Sequence, residues 1–75
     1  DGQTASRTLV HEGWRMSVFE GSELGELFDL EADPHELSNH WADAGHADRK
    51  ASMMQHLVQR MIALRDTTLL PTHQA

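Results

Sequence analysis

The sequence predicts a small α+β domain in which an antiparallel sheet of three to four strands packs against one long C-terminal amphipathic helix. Three observations lead to this fold class. Two strand-like segments flank Glu12-Gly13, a dipeptide typical of tight turns. A third short apolar segment ends at Leu30, and helical periodicity then runs from about Ala44 to Thr67. A chain of 75 residues is long enough for one small domain.

The predicted strands lie at residues 7–11, 14–19 and 26–30. The first is rich in β-branched residues, and apolar residues alternate in the second, which places on one face Trp14, Met16 and Val18. The tight turn joins these two strands into a hairpin, and the third strand extends the hairpin to a meander. One face of the sheet must be covered, because a bare sheet of three strands is barely stable in water.

The predicted helix spans about residues 44–67 and supplies that cover. Its apolar positions fall within about 140° of one face at ~100° per residue, and they are Ala47, Ala51, Met54, Leu57, Val58, Met61 and Ile62. Asp43 is a suitable N-cap. The methionines favour core packing over a promiscuous binding groove, because methionine fills irregular gaps against a sheet.

A turn is predicted over residues 33–39. Asp33 as N-cap, Pro34 at the first helical position and Glu36 three residues after the cap are the elements of a capping box. We therefore expect a single helical turn that stops near Asn39. The whole domain then covers residues 7–67, with a flexible lead-in (1–6) and a flexible tail (68–75).

Composition excludes several classes of function. The formal net charge is −6, and the 6 lysines and arginines are scattered, so a phosphate-binding surface and a nucleic-acid partner are not expected. There is no cysteine, and no apolar run is long enough for a membrane span. The chain begins at Asp1 without a signal peptide, and we expect a fragment or a processed or trimmed product. A soluble protein of the cytoplasm or the periplasm is expected, with no signal that separates the two.

No constellation of residues predicts catalysis or metal binding. The chain has 6 histidines, but His35 and His40 are five positions apart, which on an α-helix turns their rings to different sides; His46 and His56 are no better spaced. Exposed, solvated histidines are the expectation. The alternating carboxylates that begin at Asp29 lack the glycine and the glutamate that complete a calcium loop. We assign no catalytic, cofactor-binding or metal residue.

One segment is more distinctive than the composition suggests. The fifteen-residue run GELFDLEADPHELSN, residues 25–39, resembles the C-terminal signature of the type I sulfatases, in which a Gly-Glu-Leu-Tyr-Asp-Leu strand leads into an Asp-Pro-x-Glu turn and an Asn. The two upstream strands and the terminal helix are similar to those of the family in the same order. The resemblance covers roughly residues 6–66.

The resemblance implies a fold and a parent enzyme. Sulfatases have a large α/β catalytic domain followed by a small domain with a four-stranded antiparallel sheet and a packed helix. Their catalytic formylglycine is made from a Cys/Ser-x-Pro-x-Arg motif and lies beside a divalent cation, usually calcium. Ala32 and Leu69 stand two residues before Pro34 and Pro71, so neither proline fits that motif. No catalytic residue is carried over.

Structural residues do carry over. The resemblance implies that Leu27, Phe28 and Leu30 anchor the last strand, with Phe28 in place of the usual tyrosine, and that the turn is set by Asp33, Pro34 and Glu36. It also makes His11 and Trp14 candidates for the rim of the active-site entrance; packing at the strand ends is the alternative.

The predicted function is therefore that of a C-terminal subdomain of a sulfuric ester hydrolase, which completes the fold and has no activity alone. Its partner would be the catalytic domain of the parent chain. In isolation we expect a homo-oligomer, because the surface that faced the catalytic domain is exposed. The alternatives are a free-standing protein-interaction or dimerisation module and a histidine-based metal binder.

Overall fold

The computed structural model describes the backbone of residues 5–73 and the side chains of residues 5–65. Three strands come first: β1 (Ser6–His11), β2 (Trp14–Phe19) and β3 (Glu26–Asp29). They form an antiparallel sheet in the order β1-β2-β3. A 3₁₀ turn at Ala44–His46 leads into the helix α1 (Ala47–His73). This architecture confirms the predicted α+β fold class.

The hairpin between β1 and β2 has the two-residue turn that the sequence predicts. Glu12 and Gly13 have φ of 53° and 83°, as both central residues of a type I′ turn require. The turn sets His11 opposite Trp14 and Leu9 opposite Met16.

The core lies between one face of the sheet and the first turns of α1. Met16 pairs with Leu9 on one side and with Leu27 on the other, which makes a row of apolar side chains across all the strands. Met53 and Leu57 of α1 cover this row. Met16, Leu27 and Met53 have 0% exposure.

The buried face of α1 overlaps only in part with the face that the periodicity predicts: Leu57 is buried and Met54 packs against the core, as predicted. Val58, Met61 and Ile62 belong to the predicted face but remain 47%, 41% and 52% exposed, whereas Met53, which lies outside it, is fully buried. Amphipathic periodicity indicates an apolar stripe, but the part of the stripe that is covered depends on how far the sheet reaches along the helix. Here the sheet covers α1 only as far as Leu57.

The ends of α1 also differ from the prediction. The helix continues to His73, beyond the predicted end at Thr67. Threonine costs only a few tenths of a kcal/mol relative to good helix formers, which is too little to stop an established helix. Of the predicted flexible ends, residues 1–4 and 74–75 lie outside the described residues.

The segment after β3 is a turn without the predicted helical turn and capping box. Glu36 has a φ of 58°, and its N–H donates to the carbonyl oxygen of Asp33 (3.0 Å), as in a β-turn. The Asp33 side chain does accept backbone hydrogen bonds, as a capping residue would: its carboxylate accepts from the N–H groups of Leu37 (3.0 Å) and Ser38 (2.9 Å). The Glu36 carboxylate instead forms an ion pair with Arg15. A motif of neighbouring residues does not predict this distant partner.

Candidate functional site

Two histidines and an aspartate meet where the chain passes from β3 to α1. The N–H of Asp43 donates to the carbonyl of His40, and the N–H of His46 donates to that of Asp43, both at 3.0 Å. Two successive i→i+3 turns of this kind place side chains three residues apart above one another. The imidazole of His40, the carboxylate of Asp43 and the imidazole of His46 therefore lie on one side of the chain.

The three side chains are in direct contact. His40 Nδ1 is 2.7 Å from Asp43 Oδ2, and His46 Nδ1 is 3.6 Å from the same oxygen. The two imidazole rings are stacked with centroids 4.2 Å apart. The hydrogen bond with His40 holds the pKa of the Asp43 carboxyl below its ordinary value. We call this group the histidine cluster: His40, Asp43 and His46.

The histidine cluster differs from the solvated histidines that the sequence predicts. Both of its imidazoles are half-buried, and His46 Nδ1 is buried with no hydrogen-bond partner in the described part of the chain. On an α-helix the rings of these histidines would point to different sides, but His40, Asp43 and His46 occupy a turn and a 3₁₀ segment. The i, i+3, i+6 spacing is the signal that could have found the cluster. Asp43 holds the predicted N-cap position, but its side chain makes no cap hydrogen bond.

Trp14 packs beside the histidine cluster. Its ring centroid lies 6.2 Å from that of His40 and 5.6 Å from that of His46, and the Arg49 guanidinium sits 5.3 Å from its centroid. Of the two residues proposed from the sequence as entrance candidates, Trp14 is thus the one against the cluster. His11 is paired with Trp14 across the hairpin, and its ring contacts that of His56 of α1 at 4.1 Å.

The opposite face of the sheet carries a separate charged network around Arg15. Its guanidinium donates to both oxygens of Glu36 (2.7 and 3.0 Å), to Glu26 (3.2 Å) and to the Ser17 hydroxyl (2.6 Å). It also lies 4.9 Å from the centroid of the Phe28 ring. The Arg15 hydrogen bond holds the pKa of the Glu36 carboxyl below its ordinary value. Arg15 ties the turn onto the sheet, a structural role.

Residues 25–39, which carry the resemblance described above, connect β3 to the hairpin and to the turn that follows it. Leu27 and Phe28 are buried, and Leu30, half-buried, donates its N–H to the Gly13 carbonyl (2.8 Å). The side chain of Asn39 accepts the N–H of Leu27 (2.9 Å) and donates to the Gly25 carbonyl (3.1 Å). Pro34 lies exposed in the turn.

Trp41 is a structural residue that the sequence did not single out. Its indole N–H donates to the Glu23 carbonyl (3.1 Å), and its ring edge lies where a side chain on Gly25 would project. Lys50 donates to the Trp41 carbonyl (3.0 Å) and lies over its ring. Trp41 thus joins the start of β3 to the first turns of α1.

Acid is expected to weaken the tie between the turn and the sheet. A carboxyl whose pKa is lowered by folding contributes stability above its unfolded pKa of about 4, and that stability is lost as the pH falls through the folded pKa. Glu36→Gln should therefore lower the urea midpoint at about pH 7 and have a progressively smaller effect as the pH falls through the folded pKa of Glu36, because the carboxyl is then protonated in the parent chain as well. Glu20→Gln, at an exposed position, is the matched control. An effect of Glu36→Gln that stays constant as the pH is lowered would contradict the role of its charge.

Comparisons with models of known families, with curated proteins and with solved structures gave no match. Among the described residues, no helix is both long enough and apolar enough to cross a membrane.

Proposed function

We propose that this chain is the C-terminal subdomain of a sulfuric ester hydrolase of the type I sulfatase class. The observation that carries the proposal is the resemblance of residues 25–39 to the family signature, whose residues also have defined contacts in this fold. Gly25 leaves no space for a side chain, Asn39 closes the edge of β3, and Glu36 is held by Arg15. These contacts give three residues of the signature a structural role in this fold.

The exposed face of α1 supports the proposal that the helix also packs against a partner outside this chain. Beyond Leu57 the helix keeps an apolar stripe that includes Val58, Met61 and Ile62, all more than 40% exposed. Contiguous apolar surface of this kind is characteristic of interaction sites. We assign the catalytic domain of the parent chain to this face, and the fourth strand implied by the family to the outer edge of β1. In the isolated chain a second copy takes the place of the catalytic domain, which gives the expected homo-oligomer.

The role of the subdomain is structural. It completes the fold, and the end of the sheet that carries His11 and Trp14 is the part that would reach the substrate entrance. The formylglycine and the calcium ion expected of the parent enzyme would be held by residues outside this chain, because no Cys/Ser-x-Pro-x-Arg motif is present in it.

The reading frame around this sequence tests the proposal. We expect a parent chain of several hundred residues with a Cys/Ser-x-Pro-x-Arg motif upstream, and hydrolysis of an aryl sulfate by the full-length product in the presence of calcium. The 75-residue chain alone should give no turnover. A natural reading frame that starts close to the codon of Asp1, or turnover by the chain alone, would overturn the proposal. The first outcome would favour a free-standing interaction or dimerisation module, and light scattering would then show whether its partner is a second copy.

A further inference from the structure

We infer that the histidine cluster is a binding site for a divalent transition-metal ion of the Zn²⁺ type. This inference does not depend on the sulfatase proposal, since it rests on the geometry of His40, Asp43 and His46. The donors are two imidazole nitrogens and one carboxylate oxygen, the set that zinc and related metals prefer. Calcium is disfavoured, because it takes oxygen ligands.

The distances are close to those of a coordinated ion. One ligand atom from each residue can be chosen so that all three lie within 4.8 Å of one another. Zinc bonds of about 2.0–2.1 Å in a tetrahedron separate neighbouring ligand atoms by roughly 3.3 Å. The two measured separations from Asp43 Oδ2, 2.7 Å to His40 Nδ1 and 3.6 Å to His46 Nδ1, lie on either side of that value. Small side-chain adjustments would therefore accommodate the ion.

An unpaired nitrogen gives independent support. His46 Nδ1 is buried and has no hydrogen-bond partner in the described part of the chain. Buried polar atoms are nearly always paired, so an orphaned imidazole nitrogen that lies 3.6 Å from a carboxylate calls for a partner. A metal ion bound between His40, Asp43 and His46 would provide one.

Neighbouring residues hold the three ligand residues in place. The N–H of His40 donates to the Leu27 carbonyl of β3 (2.8 Å), and Asn39 is hydrogen-bonded to the same strand. Trp14 packs against both imidazole rings and limits their rotation. The Asp43 side chain is 52% exposed, so solvent and dissolved ions reach the histidine cluster. Binding there would tie the connection between β3 and α1 to the sheet.

Calorimetric titration of the whole chain with Zn²⁺ tests the inference. We expect one saturable site, and a rise in the thermal midpoint with added zinc, because an ion that binds only the folded state stabilises it. His46→Ala and Asp43→Asn should each weaken zinc binding by at least ~10–100-fold, the loss that removal of even an outer-shell partner causes. His35→Ala, on the exposed turn, and His11→Ala, in the other histidine pair, are the controls and should leave the affinity unchanged.

A spectroscopic measurement gives a second readout, in a background whose fold is first checked by circular dichroism because Trp41 has a structural role. In a Trp41→Phe background, Trp14 is the remaining tryptophan, and its ring lies 5.6 Å from that of His46. Cu²⁺ should quench its fluorescence with a one-to-one end point, and His46→Ala should remove that end point while the circular dichroism spectrum stays folded. Absence of saturable binding, or binding that survives in His46→Ala and Asp43→Asn, would overturn the inference. Loss of binding in His11→Ala but not in His46→Ala would do the same.

Discussion

Leu27→Ala is expected to lower the free energy of unfolding by about 2–5 kcal/mol, as large-to-small substitutions in cores do. Leu27 has 0% exposure, pairs with Met16 across the sheet and belongs to the cluster that Met53 and Leu57 cover. A domain of 75 residues has a total stability of only about 4–11 kcal/mol. The substitution should therefore remove a large fraction of the stability of the domain.

Urea denaturation followed by circular dichroism measures this effect. Leu37→Ala is the matched control, because Leu37 is 82% exposed and its truncation should change stability by less than about 0.5 kcal/mol. Equal effects of the two substitutions would show that Leu27 is not in the core.

Gly25→Ala should also destabilise the domain, by about 1–3 kcal/mol, because it adds volume where none is free. A β-carbon there would lie 2.5 Å from the Ser17 carbonyl oxygen and 2.7 Å from the Trp41 ring. Ser17 pairs with Glu26 in the sheet, so the backbone of β2 cannot move away without loss of register. A shift of Trp41 alone would not relieve the clash.

Gly45→Ala is the control for this substitution. Nothing lies within 4 Å of a β-carbon at Gly45, which is part of the 3₁₀ turn. Alanine there should be neutral or stabilise the fold by up to about 1 kcal/mol, because it reduces the freedom of the unfolded chain. Thermal melts of both variants make the comparison. If Gly25→Ala melts at the same temperature as Gly45→Ala, the close approach at Gly25 does not exist.

The two proposals make separate demands on this small domain. The sulfatase proposal needs a large partner on the exposed face of α1, and the metal proposal needs only the histidine cluster at the other end of the helix. If the chain binds zinc but is not part of a longer enzyme, the second proposal stands and the first is wrong. A parent sulfatase in which His46→Ala has no effect on zinc binding would give the opposite result.

Local signals predicted the sheet well. The alternation from Trp14 to Phe19 and the Glu12-Gly13 turn are properties of neighbouring residues, and a two-residue turn with positive φ leaves little choice of register. The capping-box motif at Asp33 was less informative, since only its aspartate has the expected kind of role. The Glu36 side chain pairs with Arg15, which is 21 residues away in sequence, and makes no capping hydrogen bond at Asp33.

By itself, the sequence determined the α+β class, the hairpin and the existence of a long amphipathic helix, because these depend on residue period and turn chemistry within a few positions. The tertiary structure alone decided which face of α1 is buried and which residues surround Arg15. It also decided that His40, Asp43 and His46 meet beside Trp14. Each of these depends on where the sheet ends along the helix and on how the chain turns after β3. The buried face of α1 and the surroundings of Arg15 follow from contacts between distant residues, which no periodic pattern encodes. The histidine cluster has an i, i+3, i+6 spacing, but its place beside Trp14 depends on how the hairpin packs against that turn.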